Sequence, residues 1–139
     1  LIILDTNVLS ELFRPRPEQR VVESIDRWSH AEVFLTAVTV AEVRVGIARM
    51  PTGRRRVELF EATERVLGQR FDGRILPFER DSAAYYADLV ADRFRAGRPV
   101  STADGQIAAI CRQHDATLAT RNLRDFDLMG LELIDPWSR

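Results

Sequence analysis

The sequence contains no lysine: all 20 of its Lys+Arg residues are arginine. That absence excludes a phosphate-cradling loop with its lysine, Schiff-base chemistry, the phosphate-binding lysine of a protein kinase and the lysine of a receiver-type phospho-acceptor domain. Cysteine and histidine are nearly as scarce. Cys111 is alone and the histidines are only His30 and His114, so no intramolecular disulfide can form and a Cys/His metal site is nearly excluded. A lone thiol points to a reducing compartment, and a cytoplasmic protein is the expectation. No apolar run approaches the ~20 residues a membrane helix needs, and no basic, apolar leader precedes the first strand-like segment. A membrane partner is therefore not expected.

The residues that are present describe an ordinary core. The chain has 139 residues, 45% hydrophobic and 29% charged, with a formal net charge of −1, which fits one domain over residues 1–139. Folding at this size removes roughly 68% of the unfolded surface from water. Arginine suits phosphate, because its planar fork of donors matches an oxyanion pair and keeps its proton near neutrality. With net charge near zero, any nucleic-acid contact must come from local clusters.

Leu1 to Leu4 is a continuous apolar run stopped by Asp5-Thr6-Asn7 and reads as a strand buried on both faces, as in a parallel sheet. A short helix from Val8 to Phe13 follows, then a second over Glu18 to Trp28. Val33 to Val38 is β-branched and apolar enough for a second strand. Thr39 opens a helix to Met50, stopped by Pro51. A more polar helix spans Thr52 to Leu67, and Gly73 to Phe78 gives a third strand. Asp81 to Ala96 is helical, with Ala83, Ala87, Val90 and Phe94 on one face, and Thr102 to His114 forms another helix. Thr117-Leu118-Ala119 and Leu131 to Ile134 are short closing strands. Strands alternating with helices predict an α/β fold, a central parallel sheet flanked by helices on both faces.

Three acids stand where such segments open. Asp5 follows the first strand, at the carboxyl end where open α/β sheets place ligands; it equally suits the N-cap of the next helix. Glu42 lies three residues after Thr39, the spacing of a capping box. Against that reading, Gly46 lies at i+4 on the same face and removes bulk beside the acid at a propensity cost of about 1 kcal/mol. Ser101-Thr102-Ala103-Asp104 also resembles a capping box, yet Asp104 lines up with Ile107, Ala108 and Cys111 on the buried stripe of its own helix. A carboxylate there is costly unless it is paired or metal-bound, and no cationic side chain shares the stripe. The functional reading of Asp104 is the stronger one.

Taken together, three acids at helix openings converge at one edge of a parallel sheet. Carboxylates gathered without a cation repel, and at least one has a raised pKa. A divalent ion resolves the conflict, and hard oxygen ligands select magnesium, or manganese in its place, with water and substrate phosphate completing the shell. That chemistry suits attack of water on a phosphodiester.

At this point the sequence resembles the PIN-domain nucleases, among them the VapC toxins of bacterial toxin–antitoxin pairs, and especially their FitB-like branch. The likeness is carried by Leu4-Asp5-Thr6-Asn7-Val8, Ala41-Glu42-Val43-Arg44-Val45-Gly46, Gly73-Arg74-Ile75-Leu76-Pro77-Phe78, Ala103-Asp104-Gly105-Gln106-Ile107-Ala108-Ala109, Ala119-Thr120-Arg121-Asn122-Leu123-Arg124-Asp125-Phe126 and the closing Pro136-Trp137. It covers essentially the whole chain, and the order and spacing of the pieces make it specific. The resemblance implies that Asp5, Glu42 and Asp104 are the acidic metal-site residues, with Asp5 and Asp104 direct magnesium ligands. The family's fourth polar position maps onto Asn122, where many members carry aspartate. The neutral amide coordinates only through its oxygen or through water, which puts a tightly held second metal in doubt.

Further implications are a magnesium-dependent endoribonuclease acting on tRNA or rRNA, a homodimer, and a cognate VapB/FitA-like antitoxin that blocks the acidic groove and carries the DNA contact of the pair. Thr6 and Thr120 are placed to position water, and Arg121 either to meet a phosphate or, equally, to stand as a solvated surface residue. Asp125 reads as the cap of the turn before Phe126.

Two basic groups, Arg54-Arg55-Arg56 and Arg93-Arg95-Arg98, stand out. Each is ordinarily a solvated helix face, though positive charge at a helix start opposes the macrodipole and lends some support to an RNA-backbone role. Of Tyr85 and Tyr86, at least one is expected to pack in the core or a dimer interface, and Cys111 reads as core. A metal-free ribonuclease would want paired histidines or a lysine, which the sequence lacks. Two alternatives remain, a catalytically silent PIN-like module that binds RNA or protein, and a DNA nuclease of the same metal chemistry.

Overall fold

The computed structural model describes residues 1–138. Five strands, β1 (Ile2–Leu4), β2 (Val33–Thr36), β3 (Ile75–Leu76), β4 (Thr117–Ala119) and β5 (Leu133–Ile134), form one sheet in the order β3-β2-β1-β4-β5. Every neighbouring pair is parallel. Six α-helices accompany them: α1 (Thr6–Leu12), α2 (Gln19–Arg27), α3 (Ala37–Ala48), α4 (Arg54–Gln69), α5 (Arg80–Arg95) and α6 (Thr102–Gln113). This is the α/β architecture that the alternation of segments predicts. Among the described residues no helix is long and apolar enough to cross a membrane.

Strand alternation explains the two-sided core. Ile3 and Leu118, paired across β1 and β4, face a cluster built on Leu89 of α5 and Ile107, Ile110 and Cys111 of α6. Their neighbours Leu4 and Ala119, also paired, face the opposite cluster of Val8, Leu9, Val21, Ile25 and Phe71. A strand buried on both sides has no polar face to show, which is why β1 is apolar throughout.

The order of the strands places the site. The chain steps outward from β1 to β2 and β3, then returns through α5 and α6 to β4 on the other side of β1. The connections leaving the carboxyl ends of β1 and β4 diverge, and a crevice opens between them. Packing of α6 on α5 is close at its amino end: a Cβ on Gly105 would lie 3.0 Å from a ring carbon of Tyr86. Tyr86 is half-buried and meets Phe78 edge to face at 5.8 Å.

Several boundaries differ from those read in the sequence. The second strand ends at Thr36, and Ala37 and Val38 belong to α3. The helix begins early because Thr36 is its N-cap, its Oγ1 accepting from the Thr39 backbone N–H at 3.1 Å. Thr39 is thus inside the helix, and the Thr39–Glu42 capping box does not form. The first helix starts at Thr6, directly after Asp5, and the third strand pairs only at Ile75 and Leu76.

The buried stripe of α5 also differs. Ser82, Leu89 and Arg93 face inward, while Ala83 and Ala87 are exposed and Phe94 is 74% exposed. The inward polar groups are satisfied: Ser82 Oγ donates to Gln113 at 2.5 Å, and the Arg93 guanidinium donates to the carbonyls of Arg98, Asp125 and Asp127 at 2.6, 3.0 and 2.9 Å. A stripe chosen by hydrophobicity misses a face whose burial rests on hydrogen bonds.

Candidate active site

Asp5 stands one residue beyond β1 and is 4% exposed. It does both things the sequence allows. Its Oδ1 accepts from the Thr6 backbone N–H at 2.8 Å, capping α1, while Oδ2 accepts from Thr120 Oγ1 at 2.7 Å and from Asn7 Nδ2 at 3.2 Å. Burial raises the carboxyl above its ordinary value against the pull of those hydrogen bonds, and the charge of Glu42 raises it further.

Asp104 occupies the first turn of α6, half-buried, with its backbone N–H donating to Ser101 Oγ at 3.2 Å. Burial first, then the charge of Asp5, push its carboxyl up to about 6, and Asp125 and Glu42 add to the rise. The charges acting most strongly on it are all carboxylates. The cost foreseen from its place on the apolar stripe is therefore present in the fold.

Glu42 is exposed on α3. Instead of turning back to its own helix start, its Oε1 accepts from Thr6 Oγ1 at 2.5 Å, tying α3 to α1. Thr6 Oγ1 also lies 3.3 Å from Thr39 Oγ1, which lies 3.3 Å from Thr36 Oγ1. Thr36 and Thr39 are buried, and the linking of these three hydroxyls to Glu42 is not visible in the sequence. Its only signal is a run of threonines where a strand turns into a helix.

Asn122 is exposed, and its side-chain amide makes no hydrogen bond among the described residues. Its backbone N–H donates to Thr120 Oγ1 at 3.0 Å, and its carbonyl accepts from the Asp125 N–H at 3.1 Å. Asp125 does not cap the turn through its side chain; its charge instead acts on Asp104. Asn7 Oδ1 accepts from the Arg121 N–H at 3.3 Å, so the segment after β4 is stitched to the start of α1. The Arg121 guanidinium stacks over Trp137, 4.9 Å from the ring centre.

The fold thus brings Asp104 within reach of the charges of Asp5, Asp125 and Glu42, and Asp5 within reach of that of Glu42. Among the described residues no three His, Cys, Asp or Glu side chains form a ready-made cage for an ion. An anionic, all-oxygen pocket of this kind fits a hard divalent cation that keeps most of its water and takes one or two carboxylates. Cys111 lies deep in the core, where burial pushes its thiol up and leaves it inert.

A family model for the PIN domain matches residues 2–130. The chain belongs to the PIN domain family. Two relatives of this PIN protein are VapC ribonuclease Y4jK of Sinorhizobium fredii and Toxin FitB of Neisseria gonorrhoeae. Each is 41% identical over 137 residues; the matches cover 99% of this chain and 98% and 99% of the relatives. Among solved structures, that of FitAB bound to IR36 DNA fragment superposes with a TM-score of 0.93 at 40% identity, covering 100% of this PIN chain and 97% of the other.

Proposed function

We propose that this PIN protein is the toxin of a VapBC-type toxin–antitoxin pair and a magnesium-dependent endoribonuclease, with Asp5, Glu42, Asp104 and Asn122 at its active site. The observation that carries the reading is a buried carboxylate, Asp5, and a half-buried one, Asp104, whose neighbouring charges are also acidic. Buried acids without a counter-charge cost stability, and a fold keeps them where a cation is to be held. The relatives' names, a VapC ribonuclease and a toxin, support the same reading.

Asp5 and Asp104 would hold the ion directly, with Glu42 completing the shell through water; manganese is expected to substitute. When bound, a divalent cation supplies positive charge to the attacking water and to the phosphate oxygens. The chain's own contributions are positional. Thr120, Asn7 and the Thr6 N–H fix both oxygens of Asp5, and Thr6 fixes Oε1 of Glu42. Glu42 is exposed and its Oε2 makes no hydrogen bond among the described residues, which leaves it free to accept a proton from the attacking water. As Glu42 takes its proton, the water oxygen bonds to phosphorus, one P–O ester bond breaks, and the leaving oxygen takes up a proton from solvent.

Substrate RNA is of the tRNA or rRNA class, and the protein works in the cytoplasm as one domain. Its partners are a second copy of itself, for which the exposed Ala83, Ala87 and Phe94 of α5 offer an apolar face, and a VapB/FitA-like antitoxin through which DNA is contacted. The solved FitAB structure holds DNA, which supports that arrangement.

Purified protein freed of antitoxin should cut structured RNA with magnesium or manganese and stop when EDTA is added. Asp5→Asn and Asp104→Asn should abolish the cut while circular dichroism shows an intact fold. Full cleavage by Asp104→Asn sinks the assignment.

A further inference from the structure

A groove of about 650 Å³ opens beside the acids, between α1, α3 and α4. Thr6 and Glu42 line it, so the groove and the acid group share Glu42. Phe13, Ile47, Met50 and Leu59 make an apolar floor, and Arg14 and Arg55 stand among its walls. The volume is that of an ordinary small-ligand site, which spans roughly 300–1,000 Å³.

Two sequence features that the acid pocket leaves unused meet here. Gly46, on α3 one turn after Glu42, lines the groove, and a Cβ placed on it would find nothing within 4 Å. Helix packing does not require the glycine, so what it preserves is open space. Arg55, from the arginine run that opens α4, is exposed and makes no ion pair among the described residues. Positive charge in a first turn works against the helix dipole, and a ligand anion over the groove would offset that cost. Arg14, 65% exposed, is steadied by Glu11 at 3.1 Å.

We propose that this groove is the subsite for the nucleotide adjoining the bond that is cut, with its base on the Phe13 floor and its phosphate against Arg55 and Arg14. The inference rests on the ribonuclease reading above. An aromatic and aliphatic floor beneath guanidinium groups is the combination that single-stranded RNA uses, base on ring and phosphate on arginine. Glu58, one turn beyond Arg55, adds an acceptor of the kind that exocyclic amines of bases satisfy. Glu42 belongs to both the groove and the acid group, so a nucleotide lying here abuts the acids.

Steady-state cleavage of a single-stranded oligoribonucleotide, in magnesium with antitoxin removed, tests the assignment. Gly46→Leu fills the groove from a position where the helix has room, and it should raise KM at least tenfold with a smaller change in kcat. Arg55→Ala should raise KM about fivefold, whereas Arg95→Ala, an exposed arginine paired with Asp92 outside the groove, controls for loss of charge and should not. A thermal melt of Gly46→Leu at or above that of the parent protein establishes that the fold is intact. A KM within twofold of the parent for Gly46→Leu overturns the subsite while leaving the ribonuclease reading standing, because the parent still cuts. If the parent cuts no RNA, the ribonuclease reading fails and the subsite with it. Unchanged KM together with lost binding of a co-expressed antitoxin also overturns the proposal, and makes the groove a protein dock.

Discussion

Thr120 Oγ1 donates to Asp5 Oδ2 at 2.7 Å, joining the carboxyl ends of β4 and β1 with residues 115 positions apart. The two are 0% and 4% exposed. Among the described residues it is the only side chain after β4 that hydrogen-bonds to this acid, and it also accepts from the Asn122 N–H. Thr120→Val keeps the shape and removes the bond, leaving a buried carboxylate oxygen short of one partner. A loss of about 1–3 kcal/mol is expected by urea unfolding at neutral pH, together with weaker magnesium binding by calorimetry. Thr120→Ser should restore most of both. A valine variant as stable as the parent would show that the bond does not hold the site.

The acids make the metal-free protein sensitive to pH in a definite direction. Asp104, raised to about 6, and Asp5, also raised, bind protons more tightly folded than unfolded. For Asp104 that contribution to stability is full below the ordinary value of 3.8 and is lost as pH rises through about 6; Asp5 loses its contribution in the same direction, as pH rises through its own raised value. Glu11 works the other way: the Glu18 N–H at 2.9 Å and Arg14 hold it below its ordinary value, so its contribution is lost as pH falls through that lowered value. Melting temperatures of the metal-free protein should therefore fall between pH 4 and 7 relative to Asp104→Asn, and magnesium should flatten the difference. Parallel curves for the two proteins would contradict the assigned shift.

Arg93 acts on the site from a distance. It is 4% exposed, and its guanidinium satisfies three carbonyls, two of them in the segment that carries Asn122 and Asp125. Arg98 braces the same segment through the Arg124 carbonyl at 2.9 Å. Arg93→Met should cost on the order of 2–4 kcal/mol, since buried acceptors lose their donor. Hydrogen exchange should locate the loosening in residues 122–127. Uniform exchange across the chain would argue against a local role.

Gly46→Ala should stabilise the fold by about 0.5–1 kcal/mol, because alanine loses less backbone entropy in a helix and its methyl meets nothing. A destabilised variant would mean that α3 needs the glycine for packing. The groove would then lose its simplest explanation.

Much of this was legible in the letters. The apolar run before Asp5 defines a buried central strand, and Asp104 betrays itself by standing in line with Ile107, Ala108 and Cys111 on a helix whose other residues there are fully buried. Glu42 was harder. Its spacing from Thr39 mimics a cap that the fold does not make, because Thr36, held at the strand end, reaches the Thr39 amide first. The inward face of α5 is hidden for a related reason: Arg93 and Ser82 are buried by hydrogen bonds to distant segments, which no periodicity displays.

The sequence by itself determined the class of chemistry. Without lysine, and with one cysteine and two histidines, carboxylates were left to do the work, and alternating apolar segments dictated a parallel sheet with helices on both sides. Only the tertiary structure decided which carboxylates meet, which hydroxyls hold them, and which arginines serve the fold and which face a groove. Those matters depend on contacts between residues 30 to more than 100 positions apart, such as Thr6 with Glu42 and Asp5 with Thr120. Strand order sets these contacts, and local pattern carries no record of strand order.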